Sequence, residues 1–452
     1  MADPQQPGPV TPLLTDLYQL NMVQAYLDAG MIEPAVFEFF VRRLPANRGF
    51  LVAAGLAQAV EYLQDFRFDD AALDWIRRSG RFGANFIDYL ADVRFTGDVD
   101  AMAEGTAFFA DEPVFRVVAP LPLAQLVETR LINIVHFQTL VASKAARMVL
   151  AAGGKTLIDF GLRRAHGAEA GLFAARAAYA AGFDGTATVA AEPAFGIPVF
   201  GTMAHAFVQA HDDETQAFER FARSRPENVV LLIDTYDTEA GARKVVELAP
   251  RLAADGIAVR GVRIDSGDLA AHARTVRAIL DAGDLEGVRI FASGGIDEHE
   301  LARFSASGAP IDGYGVGTSL VTSEDSPALD CAYKLQEYAG IARRKRSEGK
   351  ATWPGRKQVY RRAGADGGFA GDVLTCDSDT RPDEPLLRPI LRGGRVAGPL
   401  PDLEAIREHT ADQLACLPGH LRDLRTVPAY PVDVAPALRA LAEEADRRAA
   451  SA

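Results

Sequence analysis

Along one stretch of the chain, short apolar runs end in residues suited to holding a phosphorylated ligand. The first run, 229–237, ends in Asp234 and Asp237. The second, 259–268, ends in Arg263, Asp265 and Asp268. The third and fourth carry Ser293, Gly294 and Gly295, then Gly317 and Thr318. Small residues let backbone N–H groups approach phosphate oxygens, and a helix N-terminus behind them adds a favourable dipole. The alternative is that these glycines only close tight turns. Asp234, Asp265 and Asp268 are oxygen donors suited to Mg²⁺ held through water beside a diphosphate. The competing role for each is to cap the following helix, and for Asp268 capping is preferred. Upstream, Arg163 and Arg164 end another run, and an arginine fork matches carboxylate or phosphate. His205, near Thr202, is as compatible with a structural role as with a chemical one. Phe160, between Asp159 and Gly161, has two readings, a core residue or a platform for a flat ring.

These residues need a scaffold that gathers them. A β-branched run, a polar tip and a helix-like segment recur roughly every 25–30 residues, the rhythm of βα units in a parallel sheet. In such sheets the loops after the strands share one face, and that face carries the chemistry. The rhythm begins at 155–164, continues through 183–189 and a run at 197–208 read as a strand, and includes the four runs above. About seven tips between 155 and 320 predict an irregular (β/α) barrel over 151–340. Residues 1–150 read as mixed helix and sheet without this rhythm, an N-terminal α+β domain. In it, 1–12 are Pro- and Gln-rich and expected to be disordered, and a helix opens at Thr15 or Asp16. Residues 341–452 are too irregular to form a domain alone and are expected to pack back on the N-terminal domain. The fold class is therefore α/β, with a second α+β domain built from both chain ends.

Composition narrows the class of function. Hydrophobic content of 48% with 24% charged residues describes a soluble globular protein. The N-terminus has no basic region followed by an apolar core, and no apolar run is long enough to span a membrane. Three separated cysteines argue against a disulfide framework and a cysteine zinc cluster, and point to the reducing cytoplasm. A net charge of −13 argues against nucleic acid as partner. It also requires local basic groups to hold any anionic substrate. The residues alone describe a cytoplasmic barrel enzyme for a phosphorylated sugar and a small aromatic anion, without naming the reaction.

Several motifs, in this order, resemble the nicotinate phosphoribosyltransferase family. They are Thr15 to Tyr18, Asp159 to Arg164, Gly201 to His205, Arg263 to Asp268 and Gly315 to Thr318, with the basic segment Gly349 to Arg361. The likeness covers about residues 11–362. It implies an enzyme that makes nicotinate mononucleotide and diphosphate from nicotinate and 5-phosphoribosyl 1-diphosphate. The family couples this to ATP hydrolysis through a phosphohistidine and feeds NAD salvage.

The resemblance also implies roles. His205 matches the phosphorylated histidine, and Asp265 an acid near the ribose and Mg²⁺, with Asp234 a second candidate for the ion. Tyr18 and Phe160 match the aromatic pair around the pyridine, Tyr18 coming from the other subunit of a head-to-tail homodimer whose active site lies at the interface. Thr202 and Arg263 match positions near nicotinate. Asp16, Arg163, Ser293, Gly294, Gly295, Gly317 and Thr318 fall to phosphoribosyl diphosphate. ATP and Mg²⁺ are the implied co-substrate and ion. Enzymes of this fold that use nicotinamide carry an Asp where Ala187 stands, and an Asp would repel a carboxylate. Two rival readings are a nicotinamide phosphoribosyltransferase and a non-catalytic protein that binds a phosphoribosyl ligand.

Overall fold

The computed structural model describes residues 11–347, 349–424 and 429–451. The expectation of disorder at the N-terminus falls, for residues 1–10, outside the described residues. The chain divides into two compact units, Met1–Ser143 with Ala328–Ala452, and Lys144–Pro327. Among the described residues no helix is long and apolar enough to cross a membrane.

The unit built from both chain ends is α+β. In its seven-stranded sheet Pro34–Val41 pairs antiparallel with Pro113–Pro120 on one side and Cys331–Tyr338 on the other. Residues 35–41 are all buried, so this strand is covered on both faces. Asp98–Ala101 and Arg388–Arg392 extend the sheet. A four-stranded sheet is built largely from Lys357–Ala363 and Phe369–Cys376. Two carboxylates of this unit, Asp100 and Glu38, are buried and paired with cations. Arg116 donates to Asp100 at 2.8 Å, Arg392 reaches the same carboxylate at 2.5 Å, and Lys357 lies 2.6 Å from Glu38.

The other unit carries the βα rhythm. Its six-stranded parallel sheet runs in the order Gly185–Thr186, Thr156–Asp159, Gly313–Val316, Arg289–Ser293, Val259–Ile264, Val229–Leu232, and curls as a half-barrel. The strands Val229–Leu232 and Gly313–Val316 are buried at every residue, as parallel strands covered on both faces should be. Three of the connecting helices are capped by acids of the tip loops. Asp237 accepts from Ala240 N at 2.7 Å, Asp268 from Ala271 N at 3.1 Å, and Asp297 from His299 N and Glu300 N at 2.9 and 2.8 Å. Each satisfies N–H groups that a helix start leaves unpaired.

One expected strand is absent. The run 197–208 makes only an isolated bridge, Val199 to Thr186, and then enters the short helix His205–Gln209. Pro198 has no N–H to give a ladder, and Pro198, Phe200 and Gly201 are exposed at the sheet edge. The sheet there is held by two bonds, Thr186 N to Pro198 O at 3.1 Å and Phe200 N to Thr186 O at 2.8 Å.

Candidate active site

The C-terminal ends of the parallel strands bring four polar side chains together. His205, first residue of its helix, has Nδ1 3.2 Å from the Thr235 hydroxyl and Nε2 3.8 Å from Asp265 Oδ2. The other Asp265 oxygen accepts from the Ser293 hydroxyl. The loop that carries Asp265 is set by Asp234, whose Oδ2 accepts from Asp265 N at 2.8 Å and from the Ser266 hydroxyl at 2.7 Å. Asp234 is buried, and its Oδ1 has no hydrogen-bond partner. Three strand ends and the start of the helix His205–Gln209 therefore converge on one carboxylate and one imidazole, which are each a little over one-third exposed. Thr235 and Ser266 carry no signal in the sequence beyond their place at polar tips, and neither was singled out there.

Beside this group lies a cationic, aromatic corner. Arg263 donates from Nη1 to the Thr202 hydroxyl and from Nη2 to Met203 O, both at 3.0 Å, while its buried Nε has no partner. Burial pulls its guanidinium below the ordinary arginine value. Asp265 and Asp234 oppose that, and Arg163 adds to it. A cation so placed favours an anion that re-solvates it. Its guanidinium carbon is 6.0 Å from the centre of the Phe160 ring. That ring lies against Gly315, where a side chain would collide with it, and Phe160 N donates to Val316 O at 2.7 Å. Asp159, buried at the strand end, accepts from Gly161 N at 2.8 Å and from the Thr186 hydroxyl at 2.7 Å. Burial raises its carboxyl above the ordinary value, against the pull of those two donors. It locks the turn and shows no free face for a ligand.

A cavity of about 230 Å³ opens between the last two tips. Its lining includes Arg163, Arg164, Asp265, Ser293, Gly294, Gly317 and Thr318. Gly294 has a φ of +95°, and a Cβ there would strike the Asp265 carbonyl oxygen. Only glycine combines that backbone angle with that close approach. Arg163 and Arg164 project from a single 3₁₀ turn and are exposed. A larger cavity of about 720 Å³ lies on the sheet, lined by Phe160, Thr202, Phe291 and Arg263 among others.

Of the residues singled out in the sequence, Phe160, Arg163, Asp234, Arg263, Asp265, Ser293, Gly294, Gly295, Gly317 and Thr318 stand at these strand ends, and Thr202 and His205 reach the same group from the unpaired run at the sheet edge. Asp16 and Tyr18 belong to the other unit. There Asp16 accepts from the Thr129 hydroxyl at 3.2 Å, and Tyr18 is half exposed, its hydroxyl accepting from Gln19 Nε2 at 2.9 Å. Ala187 is exposed and donates its N–H to Asp159 O at 2.7 Å.

A parallel half-barrel with an arginine-flanked glycine cradle and an acid–histidine pair defines a class of proteins that handle phosphorylated sugars at the strand ends. Comparison with known proteins narrows this. Residues 13–136 match the nicotinate phosphoribosyltransferase (NAPRTase) N-terminal domain, 156–343 the NAPRTase family, and 380–442 the nicotinate phosphoribosyltransferase C-terminal domain. The chain is 50% identical over 424 residues to nicotinate phosphoribosyltransferase pncB2 of Mycobacterium tuberculosis, covering 93% of this chain and 91% of that protein. It is 38% identical over 454 residues to the nicotinate phosphoribosyltransferase of Bacillus subtilis, covering 93% and 92%. Its structure is similar to that of human nicotinic acid phosphoribosyltransferase, with a TM-score of 0.86 and 30% identity over 95% of this chain and 99% of the other. The chain belongs to the nicotinate phosphoribosyltransferase family, and it is an enzyme, a pentosyltransferase.

Proposed function

We propose that the enzyme transfers the phosphoribosyl group of 5-phosphoribosyl 1-diphosphate to the ring nitrogen of nicotinate, with ATP hydrolysis coupled through a phosphate carried on His205. The observation that carries this reading is the convergence of the Arg263–Thr202–Phe160 corner and the His205–Asp265–Ser293 group at one end of one sheet. The partly desolvated guanidinium of Arg263 suits the nicotinate carboxylate, and Phe160 supplies a flat face for the pyridine. Tyr18 of the partner subunit covers the other face in a homodimer. The glycine cradle with Arg163 takes the 5′-phosphate and diphosphate end.

The reaction breaks the C1–O bond to diphosphate and forms the C1–N bond to the pyridine. It asks for positioning and charge stabilisation more than proton transfer. Asp265, fixed by Ser293 and by the Asp234 contact to its own N–H, stands where positive charge develops on the ribose. In the coupling step a ring nitrogen of His205 attacks the γ-phosphorus of ATP and ADP leaves. Water later releases phosphate and restores the imidazole. The 3.2 Å approach of Thr235 to Nδ1 orients the ring.

Among the described residues no group of three or more His, Cys, Asp or Glu side chains is placed to hold a metal ion. A Mg²⁺ that arrives with the diphosphate needs only one or two protein carboxylates, the rest of its shell being phosphate and water. Asp265 and the unpartnered Oδ1 of Asp234 fit that demand. The ion would neutralise diphosphate charge. Ala187 puts no carboxylate at the position where nicotinamide-using relatives carry Asp, which favours nicotinate over nicotinamide. The product places the enzyme in NAD salvage, and the cytoplasm is the compartment that reading requires.

The test is diphosphate release from phosphoribosyl diphosphate with nicotinate or nicotinamide, each with and without ATP. The proposal expects release with nicotinate, strengthened by ATP. Release with nicotinamide instead would move the enzyme to the sister activity. Tight ligand binding without turnover would reduce it to a binding protein.

A further inference from the structure

Behind the glycine cradle lies an enclosed ion cluster whose members do not line the cavity. Lys144, on the helix Glu128–Ala152, is 2% exposed. Its Nζ lies 2.5 Å from Glu298 Oε2 and 2.8 Å from Asp325 Oδ1. Arg147, one turn further along, is 3% exposed and reaches the other Glu298 oxygen at 3.3 Å. Burial pushes the Glu298 carboxyl up, but Lys144 and Arg147 outweigh it and hold it below the ordinary value. The four groups are two cations and two anions, so the cluster is neutral.

The position of the two acids gives the cluster its meaning. Glu298 is the first helical residue after the loop Ser293–Asp297, which forms one wall of the cradle. Asp325 follows the other wall, which runs from Gly317 through the helix Thr318–Val321 to Glu324. The walls meet where the Ser319 hydroxyl donates to Ile296 O at 2.5 Å. Ser323, buried with φ +45°, turns the second loop so that Asp325 points inward. A single ammonium thus grips the far end of both loops. A lysine is costly to bury, and the cost is offset here only because both partners are fixed.

We infer that Lys144 is a positioning residue for the phosphate site: it sets the spacing of the two cradle loops through Glu298 and Asp325. This rests on the phosphoribosyl diphosphate reading of the cradle. The mechanism is geometric. Backbone N–H groups must sit within hydrogen-bond reach of phosphate oxygens, and a loop displaced by about 1 Å forfeits much of that benefit.

Two substitutions of opposite charge effect test it, Lys144→Met and Asp325→Asn. Asp325→Asn removes a negative charge near the cradle, so by charge alone it would tighten phosphate. The positioning role expects both variants to weaken it. Inorganic phosphate binding is measured by calorimetry, alongside KM for phosphoribosyl diphosphate and for nicotinate. Expected are losses of about tenfold in phosphate affinity, the low end of the scale set by outer-shell partners in metal sites. The phosphoribosyl diphosphate KM should rise equally, with the nicotinate KM unchanged. Asp325→Asn keeps the Lys144–Glu298–Arg147 pairs and serves if Lys144→Met does not fold. Unchanged or tighter phosphate binding in Asp325→Asn overturns the inference, whatever the melting temperature does. Weaker phosphate binding in both variants of a protein without transferase activity supports the inference while removing the substrate reading.

Discussion

His205 and Asp265 face each other at 3.8 Å between Nε2 and Oδ2, too far for a hydrogen bond. The gap leaves both groups open to a ligand. Thr235 steadies the imidazole from the far side, and Ser293 with the Asp234 contact steadies the carboxylate. A phosphate on the ring and a ribose near the acid would be neighbours.

His205→Ala should keep measurable transferase activity and lose its stimulation by ATP. The comparison is initial rate with and without ATP in wild type and variant. An ATP effect of the same size in both would remove His205 from the coupling.

Arg263→Ala should raise the nicotinate KM by roughly 10- to 100-fold, the worth of one charge-assisted hydrogen bond to a carboxylate. ATP hydrolysis without nicotinate should change far less. Equal losses in both reactions would mean that Arg263 supports the fold of the site, not the ligand. Thr202→Val, which frees Nη1, should give a smaller rise in the same parameter.

Gly294→Ala should weaken phosphoribosyl diphosphate more than nicotinate. The added methyl meets the Asp265 carbonyl and the backbone is held at φ +95°, a strain of about 1–3 kcal/mol. Thermal melting with substrate titration reads both effects. A variant with wild-type KM for phosphoribosyl diphosphate would show that the loop does not cradle phosphate.

Acid stability should depend on Asp100. Burial raises its carboxyl, yet Arg392 and Arg116 more than reverse this and leave it below its ordinary value of 3.8. A depressed carboxylate contributes stability that is whole above the unfolded value and lost as pH falls below it. The melting temperature of the wild type should therefore drop as pH falls below about 4. Asp100→Asn should be less stable at neutral pH and show a shallower acid limb. A parallel pair of pH curves would refute this.

Much of this site was readable because its residues sit at the ends of strands with strong local patterns. Arg263, Asp265, Ser293, Gly294 and Gly317 each follow a run of apolar residues whose length and β-branching announce a strand. The run 197–208 has the same composition and misleads, because a segment joins a sheet edge only if its own N–H groups can pair, and Pro198 has none. Its true role, to carry His205 at a helix start, is a property of the tertiary fold. The Asp234 contact to Asp265 N was equally hidden. Sequence shows two acids at adjacent tips and leaves open that one of them holds the loop of the other. The Lys144 cluster spans 181 positions of chain, from Lys144 to Asp325, with no periodic signal joining its members.

The Phe160 ring against Gly315 has a thermodynamic corollary. Its backbone is pinned to Val316 and its ring rests on a residue without a side chain, so its rotamer freedom was surrendered when the chain folded. A flat ligand that lands on it orders nothing further on that side. A side chain at Gly315 would push the ring out of this place, so a ligand that needs its face would lose both the contact and the preorganisation.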